Sequence, residues 1–472
     1  MKHLNVRIAK SVCLLLAIAG MFAFAQAAWE GEVRLTDAPS DKSTNSSGSR
    51  AICAHEDVVN AVWWCNRYGN FDLFLRRSVD GGATWQPEVR LVADTIHYSE
   101  RPAIANSGNL VAVAWEDNRD DNAEIYCKVS QDGGGAWGND LRLTVDEFGS
   151  YTPCVAVTGS HVHVVWQDDR DGGEPAIYYK RSDDAGGNWT SDLRIDPRTE
   201  GAGPAVISAR DTIVHVVWTS FDYENLVYVT IYTRSTDGGN TWSAVRRIVP
   251  ENTTQLFPTI AVWGTQLHLT WLDTRNNGGI YHQRSDDDGA TWSAAQRVSA
   301  GEFTMTIPAI AVWGQSVHIA WMDSRNSNND IYYQYSPDGG MTWYGEDYLL
   351  TPEDNEQAFV SLATAGTKVH AVWSDSRHGL METYYRRNPT GSGIVESPRP
   401  VFGMRELRLW PNPFVRAASV PGREADLFDA YDLAGQRIGT YRGAAIGADL
   451  RPGVYFIRDR ARTTEARIVK TH

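Results

Sequence analysis

Ser78-Val79-Asp80-Gly81-Gly82-Ala83-Thr84-Trp85 decides the fold, because this short box does not occur once. Further copies begin at Ser130, Ser182, Ser235, Ser285 and Ser336. Their tryptophans, Trp85, Trp137, Trp189, Trp242, Trp292 and Trp343, fall 52, 52, 53, 50 and 51 residues apart. A second pattern runs at the same period, at Trp63, Trp115, Trp166, Trp218, Trp271, Trp321 and Trp373, and mostly reads Trp-x-Asp-x-Arg. A fixed period near 50 residues marks an architecture in which every unit is one supersecondary element.

Outward from the box, each unit reads as four short strands. Pro308-Ala309-Ile310-Ala311-Val312 and Val317-His318-Ile319-Ala320-Trp321 flank a tight turn, Ile331-Tyr332-Tyr333-Gln334-Tyr335 leads into the box, and a segment such as Leu141-Arg142-Leu143-Thr144 follows it. No stretch sustains a 3.6-residue period. Four β-rich strands per unit predict an all-β chain and a propeller blade. Seven tryptophan patterns stand against six boxes. The last unit stops near Tyr384-Tyr385-Arg386-Arg387 without a fourth strand, and Glu32-Val33-Arg34-Leu35-Thr36 precedes the first unit as a fourth strand without an owner. The spacing therefore predicts a seven-bladed propeller over 28–387, closed by residues 32–36, with six blades as the alternative. Closure removes sheet edges that otherwise invite aggregation.

The box resembles the Asp box of the sialidase superfamily, also called the bacterial neuraminidase repeat, with Ala136 and Asn188 replacing its Thr. That family has six blades, so seven implies a relative rather than a close member. A motif present once per blade is architecture first. Asp80, Asp132, Asp184, Asp237, Asp287 and Asp338 are expected to accept local amide hydrogen bonds while Gly takes positive φ. Their tryptophans are expected between blades. Neither Asp183-Asp184 nor Asp286-Asp287-Asp288 offers the spaced oxygens of a calcium loop, so no metal or cofactor is expected.

The 472 residues carry a net charge of −14 and are 42% hydrophobic. Such a chain can bury a large core, and its acidity argues against nucleic acid or anionic lipid as a partner. Lys2, Arg7 and Lys10, the apolar run from Ser11, and Ala25-Gln26-Ala27 read as a cleaved leader over 1–27. No segment is long enough to span a bilayer. Cys53, Cys65, Cys127 and Cys154 sit at unrelated repeat positions, and no spacing pairs them.

Residues 388–404 read as a Pro/Gly/Ser linker. Beyond it the period is lost. Pro411-Asn412-Pro413, Asp432-Leu433-Ala434-Gly435 and Gly453-Val454-Tyr455-Phe456 follow in order within 405–472. This succession resembles the C-terminal sorting domain of the type nine secretion system. The resemblance implies a small immunoglobulin-like β-sandwich, a secretion-machinery partner, and a protein secreted from or held on the outer surface of a Gram-negative bacterium. An appended β-sandwich with a binding role is the alternative.

In a propeller the Trp-x-Asp-x-Arg loops and the segments before each first strand share one face, which carries the active site in sialidases. That face is expected to present Asp117 and Arg119, Asp168 and Arg170, Asp273 and Arg275, Asp323 and Arg325, and Asp375 and Arg377. Cys65 takes the Asp position beside Arg67, and blade four drops the pattern at Trp218-Thr219-Ser220-Phe221-Asp222-Tyr223. Repetition favours ion pairs between blades for these charges. Arg50 and Arg101 break the repeat, since the other blades carry Thr152, Gly203, Phe257, Ile307 and Phe359 there. Two guanidiniums near the axis suit a carboxylate clamp, and Tyr98, Glu100 and Tyr151 lie in the same loops. Sialidase chemistry requires three arginines, a Tyr–Glu pair and an acid Asp, and no Tyr–Glu pair stands out. Ligand binding, to glycan or extracellular protein, is the leading expectation. An exo-acting sialidase-type glycoside hydrolase is the second reading, and a structural or adhesive surface protein the third.

Overall fold

A computed structural model of the chain describes residues 29–36, 50–93, 96–197, 200–301, 307–326, 328–353 and 355–391, and parts of 405–470. The expected leader at 1–27, most of the expected linker, Pro411-Asn412-Pro413 and residues 432–436 lie outside the described residues. The chain divides into two compact units, residues 1–395 and 396–472.

The first unit is a ring of seven four-stranded antiparallel sheets. Blade one comprises Ile52–His55, Val58–Cys65, Asp72–Ser78 and Val89–Val92, and five more blades repeat that order. Blade seven comprises Gln357–Ala365, Lys368–Asp375 and Glu382–Asn388, completed by Val33–Arg34 from the chain start. Val33 pairs with Tyr385 and Arg34 with Tyr384. The Leu35 amide donates to Thr383 O at 2.8 Å, and Glu32 bridges Arg377 at 2.6 Å. Six blades are thereby ruled out.

The second strands explain why the ring holds. Both faces of each meet a neighbouring blade, so they run as apolar stretches rather than alternating ones, as in Val162-His163-Val164-Val165-Trp166. Trp63, Trp115, Trp166, Trp218, Trp271, Trp321 and Trp373 are all fully buried. Each contributes roughly a few kcal/mol by area.

The boxes are self-contained turns. In the first, Ser78 Oγ donates to Asp80 Oδ1 at 2.7 Å and accepts from the Gly82 amide at 2.8 Å, while Asp80 accepts from the Thr84 amide and hydroxyl. Gly82 has a φ of 82°, and any Cβ there would strike the Tyr385 hydroxyl, so both conformation and contact require glycine. The box tryptophans are only half-buried. Trp85, Trp242 and Trp292 set their edges against Tyr385, Tyr179 and Tyr232 of the preceding blade.

The second strands also carry a repeat of buried histidines. His163, His215, His268, His318 and His370 occupy one register position and are buried. Four accept or donate at Nδ1 to Tyr179, Tyr232, Tyr333 and Tyr385 hydroxyls, and His268 meets His282. Blades one and two place Asn60 and Ala112 there.

Cys53, Cys65, Cys127 and Cys154 are free, buried thiols. The second unit contains a five-stranded mixed sheet ordered Arg405–Glu406, Thr464–Lys470, Gly453–Asp459, Leu427–Tyr431 and Arg437–Arg442. Phe428, Ala430, Ile446 and Ile457 form its core. The second sheet of an immunoglobulin-like sandwich is not among the described residues. No described helix is long and apolar enough to cross a membrane.

Candidate functional site

Loops joining second to third strands, and segments entering first strands, form one face of the ring. The boxes and the first turns form the other.

The Asp/Arg pairs stand on the loop face but turn inward. Asp117, Asp168, Asp273, Asp323 and Asp375 are at most 1% exposed. Asp117 accepts from Trp115 Nε1, Ser99 Oγ and the Arg119 amide and guanidinium at 2.6–3.1 Å. Burial acts to raise the Asp117 carboxyl, but hydrogen bonds from Arg119, Trp115 and Ser99 outweigh it and hold it low. Arg119 lies over the Tyr126 ring and reaches Asp140 at 3.0 Å. The same lock recurs in Arg170 with Tyr178 and Asp192, Arg325 with Tyr332 and Asp347, and Arg377 with Tyr384 and Glu32. Arg275 lies over Tyr281 and reaches Glu251. The pairs therefore join strands within a blade, whereas the sequence pointed to contacts between blades. Blade one substitutes Cys65, whose Sγ accepts from Arg67 Nε at 3.0 Å, and Glu88 takes both remaining nitrogens. With their carboxylates saturated, these ten residues have little left for a ligand.

The entry to the first strands is different. Arg101, Thr152, Phe257 and Phe359 adopt φ values of 49–56° at bulges in blades two, three, five and seven. Such left-handed residues cost about 1–2 kcal/mol each. Pro102, Pro153 and Pro258 follow three of them, confined to bulges because proline cannot donate to a ladder. Bulges re-aim side chains at sheet ends. Here they set a half-buried rim that is polar over blades two and three and apolar at Phe257, Ile307 and Phe359.

Arg101 meets Glu116 at 2.8 Å. Glu116 also accepts from the Thr152 amide at 3.2 Å, linking blades two and three. Burial raises the Glu116 carboxyl, opposed by Arg101 and helped by the negative charge of Glu100. Glu100 stands directly across the strand pair from Glu116. Burial also raises the Tyr151 phenol, followed by the charges of Asp169 and Glu116. Thus Arg101, Glu100, Glu116 and Tyr151 gather at one rim.

Arg50 does not join them. Its Nη2 crosses the ring to donate to Ile260 O in blade five at 2.7 Å.

Two exposed aromatic groups flank the loop face. Trp64, Phe71 and Tyr98 form a chain with centroids 4.7 and 5.6 Å apart, and Tyr98 is 48% exposed. Blade four extends its strands to Ile213–Asp222 and Val227–Ser235, making a hairpin longer than its counterparts. On it Phe221 contacts Tyr223 and Tyr228 at 4.9 and 5.0 Å, and both tyrosines are exposed. The missing Trp-x-Asp-x-Arg pattern was the only sequence sign of this hairpin. Among the described residues no His, Cys, Asp and Glu cluster is arranged to hold a metal.

No family model and no curated protein matches the chain. Solved structures do. A polysaccharide lyase of family PL25, an ulvan lyase bound to -[GlcA(1-4)Rha3S]-, aligns at a TM-score of 0.55 and 10% identity, over 75% of this chain and 95% of that one. Polysaccharide lyase Uly1 aligns at 0.50 and 10%, over 77% and 99%. The Hadza microbial sialidase Hz136 aligns at 0.46 and 16%, over 68% and 73%. At these identities the two lyase alignments show a shared fold alone.

Proposed function

We propose that the protein is a secreted or surface-held glycan-binding propeller whose ligand lies on the loop face between the two aromatic groups. The observation that carries this reading is the Arg101–Glu116–Glu100 cluster, a set of charges without counterparts in the other blades, bordered by exposed rings. Aromatic faces suit the apolar faces of sugar rings, while Arg101 suits a carboxylate or sulfate on the glycan. Tyr98, Glu100 and Arg101 are the ligand groups in this reading, and the Asp/Arg pairs are scaffold. Export is assigned to the C-terminal unit on the strength of its motif order.

A glycan array probed with the full chain, including uronate and sialate glycans, tests this. Arg101→Ala should weaken binding by about 1–3 kcal/mol, the worth of a hydrogen bond to a charged group. Unchanged binding removes Arg101 from the site.

One observation favours a second reading, a glycoside hydrolase. Glu116 has a carboxyl raised by burial, with Glu100 opposite it on the paired strand, and two neighbouring carboxyls are what general acid–base chemistry uses. Turnover of a fluorogenic glycoside abolished by Glu116→Gln would establish it.

A further inference from the structure

The ring encloses a second candidate site, on the opposite side from the loop face. A cavity of about 240 Å³ runs through the box-side half of the central channel. Its wall is the first strands of all seven blades, and small residues such as Ala105, Ala156, Ala261, Ala311 and Ala363 keep it open. From the loop-side half, only Arg50 contributes. This residue lies deep in the ring, yet it keeps partial exposure because it lines the cavity.

Arg50 is chemically out of place there. One nitrogen is held by Ile260 O, a neutral acceptor. Among the described residues no carboxylate pairs with it, whereas each guanidinium of the loop-face locks has at least one. Burial accordingly acts to lower its affinity for its proton, with only the weak opposing influence of the Cys154 thiol. An uncompensated charge in a low-dielectric setting is costly and strongly favours a counter-anion.

The mouth of this cavity is also asymmetric. At the last position of each first strand, blades one to four and seven carry His55, Ser107, Thr158, Arg210 and Ala365. Blades five and six carry Trp263 and Trp313, with ring centroids 4.1 Å apart, 36% and 39% exposed. Exposed paired indoles beside a cavity are costly for folding alone, since their apolar faces meet water. Arg210 at the same rim is taken by Asp211 and Asp288, which leaves Arg50 as the cation facing the cavity among the described residues.

We propose that the channel binds a small monocarboxylate with an apolar body, entering past Trp263 and Trp313 and ending on Arg50. One guanidinium balances one negative charge, which selects a carboxylate over divalent inorganic sulfate or a phosphate monoester. The indoles at the mouth and the Ala, Ile and Val side chains of the wall take an apolar or aromatic stem, while Asn106, Ser208 and Thr364 make the rest of the wall polar. A dry cavity of about 150 Å³ already accepts benzene, so the volume here accommodates a phenyl-sized body. This site is independent of the loop-face reading.

Phenylacetate is the probe, titrated into the full chain by calorimetry and followed by thermal melting. Phenylacetamide serves as the neutral isostere, and sodium sulfate as the divalent arm. Phenylacetate should bind at least tenfold more tightly than either and should raise the melting temperature. Arg50→Gln should lose that binding at least tenfold, and without ligand should melt no lower than the parent protein, because an unpaired charge has gone. Arg50→Lys should retain binding in part, Trp263→Ala should weaken it severalfold, and Arg101→Ala should leave it intact. Should Arg50→Gln not fold, the phenylacetate–phenylacetamide contrast and Trp263→Ala decide. Phenylacetate binding undiminished in Arg50→Gln, no preference over phenylacetamide or sulfate, or no binding at all overturns the proposal. Loss of binding in Arg101→Ala alone would place the probe on the loop face and overturn it likewise.

Discussion

Acid should unfold this ring well before its carboxylates titrate. Burial pushes His163, His215, His318 and His370 down to about 3 and His268 down to about 4. The second ring nitrogen of His163, His215, His268 and His370 is buried without a partner among the described residues, so a proton added there has nothing to bond. The unfolded chain titrates at about 6.5. Because the folded values are depressed, the unfolded state binds more protons below about pH 6.5, and stability falls as pH drops from there toward about 3. From about pH 7.5 to 5 each histidine removes about 2 kcal/mol, so five remove about 10, comparable to the whole stability of an ordinary domain. Burial beside His268 also holds His282 well below its usual value, so guanidinium unfolding at stepped pH should show a slope approaching about six protons between roughly pH 6 and 5. His163→Asn with His215→Asn, which copies the Asn60 of blade one, should lower that slope by about two. An unchanged slope, or native imidazole NMR signals titrating at about 6.5, would refute the argument. Below pH 3.8 a second loss begins, because hydrogen bonds hold Asp80, Asp184, Asp237 and Asp287 at about 2.

Three further outcomes are expected. Asp375→Asn removes one of the two carboxylates on Arg377, leaving Glu32, and should destabilise the protein by about 1–3 kcal/mol in denaturant titration. Trp242→Ala removes a half-buried ring packed on Tyr179 and should cost about 2–3 kcal/mol, below the value for a fully buried tryptophan, with loop-face ligand binding retained. Deleting residues 405–472 should leave the propeller's melting unchanged while abolishing its appearance on the cell surface in a fractionation assay, and normal surface display would refute the sorting role.

The blade count and its closure were legible because they rest on spacing. Seven tryptophans, six boxes and an orphan Glu32–Thr36 admit one economical ring, and Val33 opposite Tyr385 is that ring. Side-chain direction was less legible. Trp-x-Asp-x-Arg looks like a display of charge in one dimension, and only the packing of Arg119 over Tyr126 shows why it faces inward. Arg50 and Arg101 shared a column of the repeat, yet a bulge turns Arg101 to Glu116 while Arg50 reaches Ile260. The buried histidines leave no one-dimensional sign, because their tyrosine partners lie on the neighbouring strand at a separation set only by the register. The blade-four hairpin registered only as a pattern that failed.

The joint between the chain's two ends falls inside a blade, between its third and fourth strands. A ring cut between blades opens by parting two apolar surfaces, much as a split washer springs. This one opens only by stripping Val33–Arg34 from Glu382–Asn388 and releasing Glu30 and Glu32 from Arg387 and Arg377. Glu32 and Arg377 are separated by 345 residues, so the first strand docks only once the last blade has left the ribosome. Until then blade seven has no fourth strand, and Glu382–Asn388 presents an unpaired edge.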